Sequence, residues 1–197
     1  MTTAGLKVGV LALQGAFREH RYALERCGAQ VTNVRLPQDL SAISGLIIPG
    51  GESTTMAKLL IHYGFDKALP DFHARGAAIW GTCAGAILLA KSIKDYPEQF
   101  SLGLMDIAVD RNAYGRQVAS FERHIAITNF NDAFNAIFIR APKILGVSEG
   151  VKVLAQLDGD PILVQQGRLM ASVFHPELEQ DDRIHQYFLD QLQIDHA

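Results

Sequence analysis

The chain has 197 residues, 48% hydrophobic and 20% charged, with a net charge of −3; that length suits one domain with a sizeable core, and that balance an ordinary globular protein. The mild acidity leaves no basic footprint for a nucleic acid or an anionic membrane, and no apolar run approaches the length of a membrane-spanning helix. Two cysteines, Cys27 and Cys83, make no disulfide framework and suit a reducing cytosol, and Met1 to Lys7 lacks the basic-then-apolar order of a secretory leader.

In chain order, Lys7 to Leu13 is a continuous apolar run, the pattern of a strand covered on both faces. Ala16 to Cys27 reads as a helix whose apolar side is Phe17, Tyr22, Ala23 and Leu24. Val31 to Val34 predicts a second strand, and Gly45 to Ile48, after a Pro37 loop, a third. That third strand runs into Pro49-Gly50-Gly51-Glu52-Ser53 and then a helix over Met56 to Tyr63. Asp66 to Arg75 predicts another helix, interrupted or started near Pro70. Ala77 to Trp80 is a short buried strand, and Ala86 to Lys91 a helix. This alternation argues for a parallel sheet with helices on both faces.

Beyond Leu102 the texture changes to short strands, at Met105–Val109, Val118–Phe121, Ile125–Thr128 and Ala136–Ile139. Val151–Leu157 and Ile162–Gln166 flank Asp158-Gly159, a strong tight-turn signal, and read as a hairpin with a third strand over Arg168–Phe174. Asp181 to Gln193 closes the chain as an amphipathic helix with Ile184, Tyr187, Phe188 and Leu192 inward. The economical architecture is α/β and three-layered, a mainly parallel central sheet with an antiparallel extension, in one domain over residues 1–197.

Gly81-Thr82-Cys83-Ala84-Gly85, between a buried strand and a helix, is the cysteine form of the nucleophile elbow. Glycines flank the reactive residue because a side chain there meets backbone, and the helix start behind Cys83 favours a thiolate. A buried cysteine in a Gly-rich turn is the bland alternative. Phe174-His175-Pro176-Glu177 supplies the base and its orienter: on an extended segment residues two apart project the same way, so His175 and Glu177 complete a candidate triad with Cys83. A surface turn is the alternative for that segment alone. The Gly50-Gly51 pair at a strand end can turn N–H groups toward a developing oxyanion, and the expected hole is Gly51 N–H with Ala84 N–H. Ser53 either caps the following helix or touches ligand. A phosphate loop is the weaker alternative, since neither a Gly-x-Gly-x-x-Gly pattern nor a Lys-Ser/Thr ending is present.

Together these three elements resemble the class I (triad) glutamine amidotransferases, with their flavodoxin-like fold. Within that class the chain is similar to the glutaminase subunits of the two-subunit pyridoxal 5'-phosphate synthases. The resemblance runs nearly end to end. It is carried by Gly9-Val10-Leu11-Ala12-Leu13-Gln14-Gly15-Ala16-Phe17-Arg18-Glu19-His20, Pro49 to Met56, the elbow, Arg111-Asn112-Ala113-Tyr114-Gly115-Arg116-Gln117, Phe138-Ile139-Arg140-Ala141-Pro142 and Phe174 to Leu178. Phe17 and Tyr114 fall at permissive positions.

The resemblance implies that Cys83 attacks the side-chain amide carbon of L-glutamine, that His175 protonates the departing ammonia, and that water hydrolyses the thioester to glutamate. It implies glutamine contacts at Gly51, Glu52, Ser53, Arg111, Ile139 and Arg140. A guanidinium can clasp the substrate carboxylate in a forked pair; a structural ion pair is the alternative for Arg111 or Arg140 alone. It implies no cofactor and no metal, and a cytoplasmic enzyme in a large hetero-oligomer. The partner, a synthase subunit, would combine ammonia with ribose 5-phosphate and glyceraldehyde 3-phosphate and activate a poorly active free glutaminase. Gln14, Gly15 and the Arg18-Glu19-His20 turn are expected at that contact. Rival readings are a glutaminase serving another synthase, such as imidazole glycerol phosphate synthase, a DJ-1-like cysteine hydrolase, and a catalytically dead scaffold.

Overall fold

A computed structural model describes residues 5–113 and 120–193. The apolar runs become the strands β1 (Lys7–Leu11), β2 (Gln30–Val34), β3 (Gly45–Ile48), β4 (Ala78–Thr82) and, late in the chain, β12 (Leu169–Ser172). They lie parallel in the order β12-β4-β3-β1-β2, with Ile47 opposite Trp80 and Ser172 opposite Thr82. β10 (Lys152–Leu157) and β11 (Asp160–Gln166) extend this sheet antiparallel beyond β12, giving seven strands. The Asp158-Gly159 turn joins them with both residues at positive φ, 52° and 87°, the geometry that a two-residue hairpin requires.

Adjacent residues of β4 show why helices cover both faces, because successive side chains on a strand point to opposite sides. Trp80 points to one face, where it meets His20 of α1 (Phe17–Arg26) and His185 and Phe188 of α5 (Arg183–Gln193). Gly81 points to the other, where α4 (Ala84–Leu89) comes so close that a Cβ would meet the Gly85 carbonyl carbon at 2.4 Å. α2 (Ser53–His62) packs beside α4 and against α3 (Phe65–Ala74). The three-layer, mainly parallel arrangement with an antiparallel extension is therefore as expected.

Several boundaries differ from the sequence reading. The expected helix Ala86–Lys91 begins two residues earlier and stops at Leu89, because β5 (Ala90–Ile93) leaves it to pair with β6 (Met105–Asp110). β6 in turn pairs with β9 (Lys143–Val147), a strand the sequence reading lacks. The two strands expected at Val118–Phe121 and Ile125–Thr128 are replaced by one, β7 (Ser120–Ile125), paired with β8 (Phe134–Ile139). Glu122, Arg123 and His124 do not break β7, since a two-stranded ribbon leaves them in solvent. α3 runs through Pro70 without stopping. Tyr22, expected inward on α1, is 57% exposed, whereas His20, Ala23 and Leu24 are buried; His20 shares the face of Ala23 and Leu24, three and four residues on. Tyr114 to Gln117 and Val118 lie outside the described residues. Among the described residues no helix is long and apolar enough to cross a membrane.

Candidate active site

One wall of the cleft hangs from the carboxyl ends of the parallel strands, where open α/β sheets bind ligands. The loop after β1 brings Gln14, Gly15 and Ala16; the loop after β3 brings Gly50 to Ser53; the turn after β4 brings Cys83 and Ala84. The far wall comes from the smaller sheets: Arg111 and Asn112 follow β6, and Ile139 and Arg140 end β8. The cleft has a volume of about 400 Å³. It gathers every residue the sequence singled out for catalysis or glutamine contact except Glu177, which stands behind His175.

Cys83 sits at φ 48°, ψ −103°, a backbone conformation that L-residues avoid and that surrounding structure must impose. The imposition is visible. Cys83 N–H donates to Ser172 O at 2.8 Å, and Cys83 O accepts from Ala86 N at 3.1 Å. The flanking glycines are sterically required: a Cβ at Gly85 would lie 2.0 Å from Ile48 O, and one at Gly81 2.4 Å from Gly85 O. The thiol is 4.0 Å from Ile139 O. Ala84, first residue of α4, carries an N–H with no acceptor inside its helix.

His175 N–H donates to Ile137 O at 2.8 Å, which ties the segment after β12 to β8. Its Nδ1 lies 2.7 Å from Glu177 Oε1, leaving Nε2 to the thiol side. A Cβ at Gly50 would be 2.6 Å from His175 Cε1 and 3.3 Å from Cys83 Cβ, so the imidazole and the cysteine flank the same glycine. Burial works against the imidazolium, but hydrogen bonding to the Cys83 side chain and to Glu177 outweighs it, raising His175 to about 10. Burial likewise favours the acid form of Glu177, and His20 and His175 overcome it, so the carboxyl stays below the ordinary glutamate range.

The Gly50–Gly51 peptide is held from behind. Gly50 O accepts from Ala16 N–H at 3.0 Å, so the Gly51 N–H of the same trans peptide points the opposite way. Glu52 N–H donates to Gln14 Oε1 at 2.9 Å. A Cβ on Gly15 would be 1.9 Å from Gly50 O, so the loops after β1 and β3 touch backbone to backbone.

Glu52, not Ser53, caps α2. Its carboxylate accepts Thr54 N–H at 3.0 Å, Thr55 N–H at 2.7 Å and the Thr55 hydroxyl at 2.7 Å, which together pull its pKa down to about 2. Ser53 is inside the helix and buried, its hydroxyl accepting from Gln99 Nε2 at 3.2 Å. The capping alternative for Ser53 is thereby overturned.

Sequence reasoning missed the residues that hold Arg111. Its Nη1 donates to Thr54 Oγ1 at 3.2 Å and to Gln99 Oε1, and its guanidinium lies 4.5 Å from the centre of the Tyr96 ring, whose hydroxyl accepts from Asn112 Nδ2 at 2.8 Å. Gln99 and Tyr96 lie in the connection between β5 and β6, where sequence periodicity is silent. Arg140, at φ 44°, is exposed at the cleft rim. Of the segment expected to contact a partner, Gly15, Arg18 and Glu19 are exposed, whereas His20 is wholly buried and is not a contact residue.

A strained cysteine at the end of a parallel strand, with a histidine–glutamate pair beside it and a Gly-Gly loop opposite, defines a protein of the glutamine amidotransferase type. The comparisons with known proteins are specific: the family model of the SNO glutamine amidotransferases matches residues 10–194, and the chain belongs to that family. It is 55% identical over 188 residues to the pyridoxal 5'-phosphate synthase subunit PdxT of Deinococcus radiodurans, covering 93% of this chain and 96% of that protein. To the PdxT subunit of Pseudothermotoga lettingae it is 53% identical, covering 98% of each. A crystal structure of a glutamine amidotransferase, 49% identical, superposes with a TM-score of 0.91 over 95% of this chain and 99% of that one. The structure of PurLQS from Thermotoga maritima, at 16% identity and a TM-score of 0.69, shares the fold. The protein is an enzyme, a glutaminase of the amidotransferase class.

Proposed function

We propose that this chain is the glutaminase subunit of a two-subunit pyridoxal 5'-phosphate synthase and that Cys83, His175 and Glu177 are its catalytic triad. What supports the subunit reading is identity above 50% to PdxT proteins over nearly their whole length. The observation that carries the triad is the Glu177–His175 pair at 2.7 Å beside a cysteine held at positive φ.

In this reading Cys83 Sγ attacks the side-chain amide carbon of glutamine, and Gly51 N–H and Ala84 N–H receive the oxyanion. His175, held as an imidazolium through neutral pH, gives its Nε2 proton to the departing nitrogen, so ammonia leaves and a thioester remains. The ring, now neutral, takes a proton from the incoming water, and glutamate is released. Glu177 fixes the tautomer. Arg111 and Arg140 clasp the substrate carboxylate, and Glu52, Ser53 and Ile139 complete the amino-acid pocket. Ammonia passes to a synthase subunit docked on the rim that carries Gln14, Gly15, Arg18 and Glu19, in a cytoplasmic hetero-oligomer. The 197 residues act as one glutaminase domain.

The test is glutamate release from glutamine with and without the synthase subunit, for the wild type and Cys83→Ala. Stimulation of the wild type by the synthase, with Cys83→Ala inactive in both conditions, is the expected result. An unimpaired Cys83→Ala variant ends the triad reading, and stimulation by an imidazole glycerol phosphate synthase subunit instead ends the assignment of the partner.

A further inference from the structure

Behind the triad lies a second layer of titratable groups that the mechanism above does not use. Glu177 Oε1 is taken by His175, but Oε2 is buried and has no well-directed hydrogen bond. The side-chain donor beside it is His20 of α1, whose Nε2 stands 3.3 Å from Oε2 and 3.0 Å from Thr82 Oγ1. His20 Nδ1 faces His185 Nε2 of α5 at 2.9 Å, and both imidazoles are fully buried. Thr82 immediately precedes the nucleophile, so α1, α5, β4 and the turn after β12 meet at this point.

The tautomers follow from what each partner can do. An ionised carboxylate oxygen only accepts, so the proton of His20 belongs on Nε2, where it is donated to Thr82 Oγ1 and faces Glu177 Oε2. His20 Nδ1 is then a lone pair, and His185 must donate to it from Nε2. That leaves His185 Nδ1 as a bare lone pair, and that atom is buried without a partner. The opposite assignment sets a lone pair of His20 against the carboxylate and strands a buried N–H on His185, which is the more costly defect. Adding a second proton to His20 would aim Nδ1–H at the N–H of His185, so the pair resists protonation.

The groups facing His20 are Glu177 and His175 beside β12, Glu19 on its own helix and His185 on α5, with Arg26 acting on His185. Burial and the neighbouring His175 hold His20 below the ordinary histidine value against the pull of Glu177 and Glu19. Burial, His20 and Arg26 hold His185 well below it.

We propose that His20, locked by His185 as a neutral Nε2–H donor, is a positioning residue for glutamine hydrolysis: it holds Oε2 of Glu177 so that Oε1 stays on His175. The N–H dipole of His20 faces the buried oxygen at 3.3 Å without competing with His175 for the negative charge, so the full charge of the carboxylate remains available to the imidazolium. The proposal rests on the reading of Cys83, His175 and Glu177 as the triad. Without His20 the buried Oε2 loses the N–H dipole that faces it at 3.3 Å, the carboxylate takes up a proton more readily, and a neutral Glu177 no longer supports the imidazolium.

Two isosteric fragments separate this role from mere packing. A glutamine places its amide where Nε2 of a histidine lies and can donate to Glu177; an asparagine places its amide where Nδ1 lies and can reach only His185. The experiment measures kcat and KM for glutamine hydrolysis across pH, with the synthase subunit present, for His20→Gln and His20→Asn. His20→Asn is expected to lower kcat about tenfold with KM within about twofold, and to move the acid limb of kcat/KM up by about one pH unit. His20→Gln is expected to recover most of kcat and to return that limb to within a few tenths of a unit of the wild type. The proposal is overturned if both variants lose activity equally with the limb unmoved, if His20→Asn matches the wild type, or if His20→Asn is the better of the two. Cys83→Ser in the same assay keeps the two failures apart. Should it retain glutamate release, the triad reading has failed; should it be inactive while His20→Asn behaves as wild type, only the role of His20 has.

Discussion

Cys83 and Arg111 face one cleft from opposite walls, and different physics holds each. The cysteine wall is built from backbone. Its conformation is imposed by the Ser172 carbonyl and by two glycines whose missing Cβ atoms would collide with main chain. The arginine wall is built from side chains: Thr54, Gln99 and the face of Tyr96 position the guanidinium, and Gln99 also holds Ser53. A backbone-built site cannot yield by a rotamer change, whereas a side-chain clasp can be adjusted by small steps. The wall proposed to make and break bonds is the rigid one, and the wall proposed to read the amino acid is the adjustable one.

The contrast breaks first at the glycines. Gly85→Ala drives a Cβ into Ile48 O and is expected to cost about 3 kcal/mol or more of stability, read from the urea midpoint, with loss of glutaminase activity. Gly146→Ala, at a position with open space, serves as the control and should stay within about 0.5 kcal/mol. Equal midpoints for the two variants would mean that the elbow is not sterically locked.

On the opposite wall the effect should fall on KM. Arg111→Lys loses the fork and the stacking on Tyr96, and is expected to raise KM for glutamine at least about tenfold with kcat within about twofold. A fall in kcat at constant KM would place Arg111 in the chemistry instead. Gln99→Leu and Tyr96→Leu leave the guanidinium in place but unsupported. Each is expected to raise KM about two- to fivefold, and stability should hardly change.

The smallest effect belongs to the cap between the two walls. Glu52→Gln keeps the shape but weakens acceptance from Thr54 and Thr55, costing about 1 kcal/mol at neutral pH. The folded carboxyl titrates near 2 and the ordinary value is 4.5, so this stabilisation is complete above about pH 4.5 and disappears as the pH falls toward 2. Thermal melts of wild type and variant should therefore converge in acid. A gap that persists at pH 2 would show that the charge of Glu52 is not what caps α2.

Much of the cleft was legible because its chemistry sits in short, local segments. A Gly-x-Cys-x-Gly turn between an apolar strand and a helix already encodes a strained cysteine, since only glycine tolerates the backbone contacts around it. His175 and Glu177 meet because they are two apart on one segment. The histidine pair behind them left only a faint trace. His20 stands three and four residues before Ala23 and Leu24, and His185 three and four before Phe188 and Leu189, so each occupies a core position of an amphipathic helix. A titratable residue at such a position is the signal, and nothing in the sequence says that the two meet.

Sequence alone determined the parallel strands, the hairpin at Asp158-Gly159 and the candidates proposed here as nucleophile, base and orienter. These depend on period, turn chemistry and near neighbours, which a linear chain records. Tertiary structure decided what depends on distant partners: that Ala90 leaves a helix to form β5, that Glu52 caps α2 in place of Ser53, that Gln99 and Tyr96 hold Arg111, and that His20 meets His185 across 165 positions. Such pairings arise when the sheet closes and brings strand ends together, and no local pattern carries them.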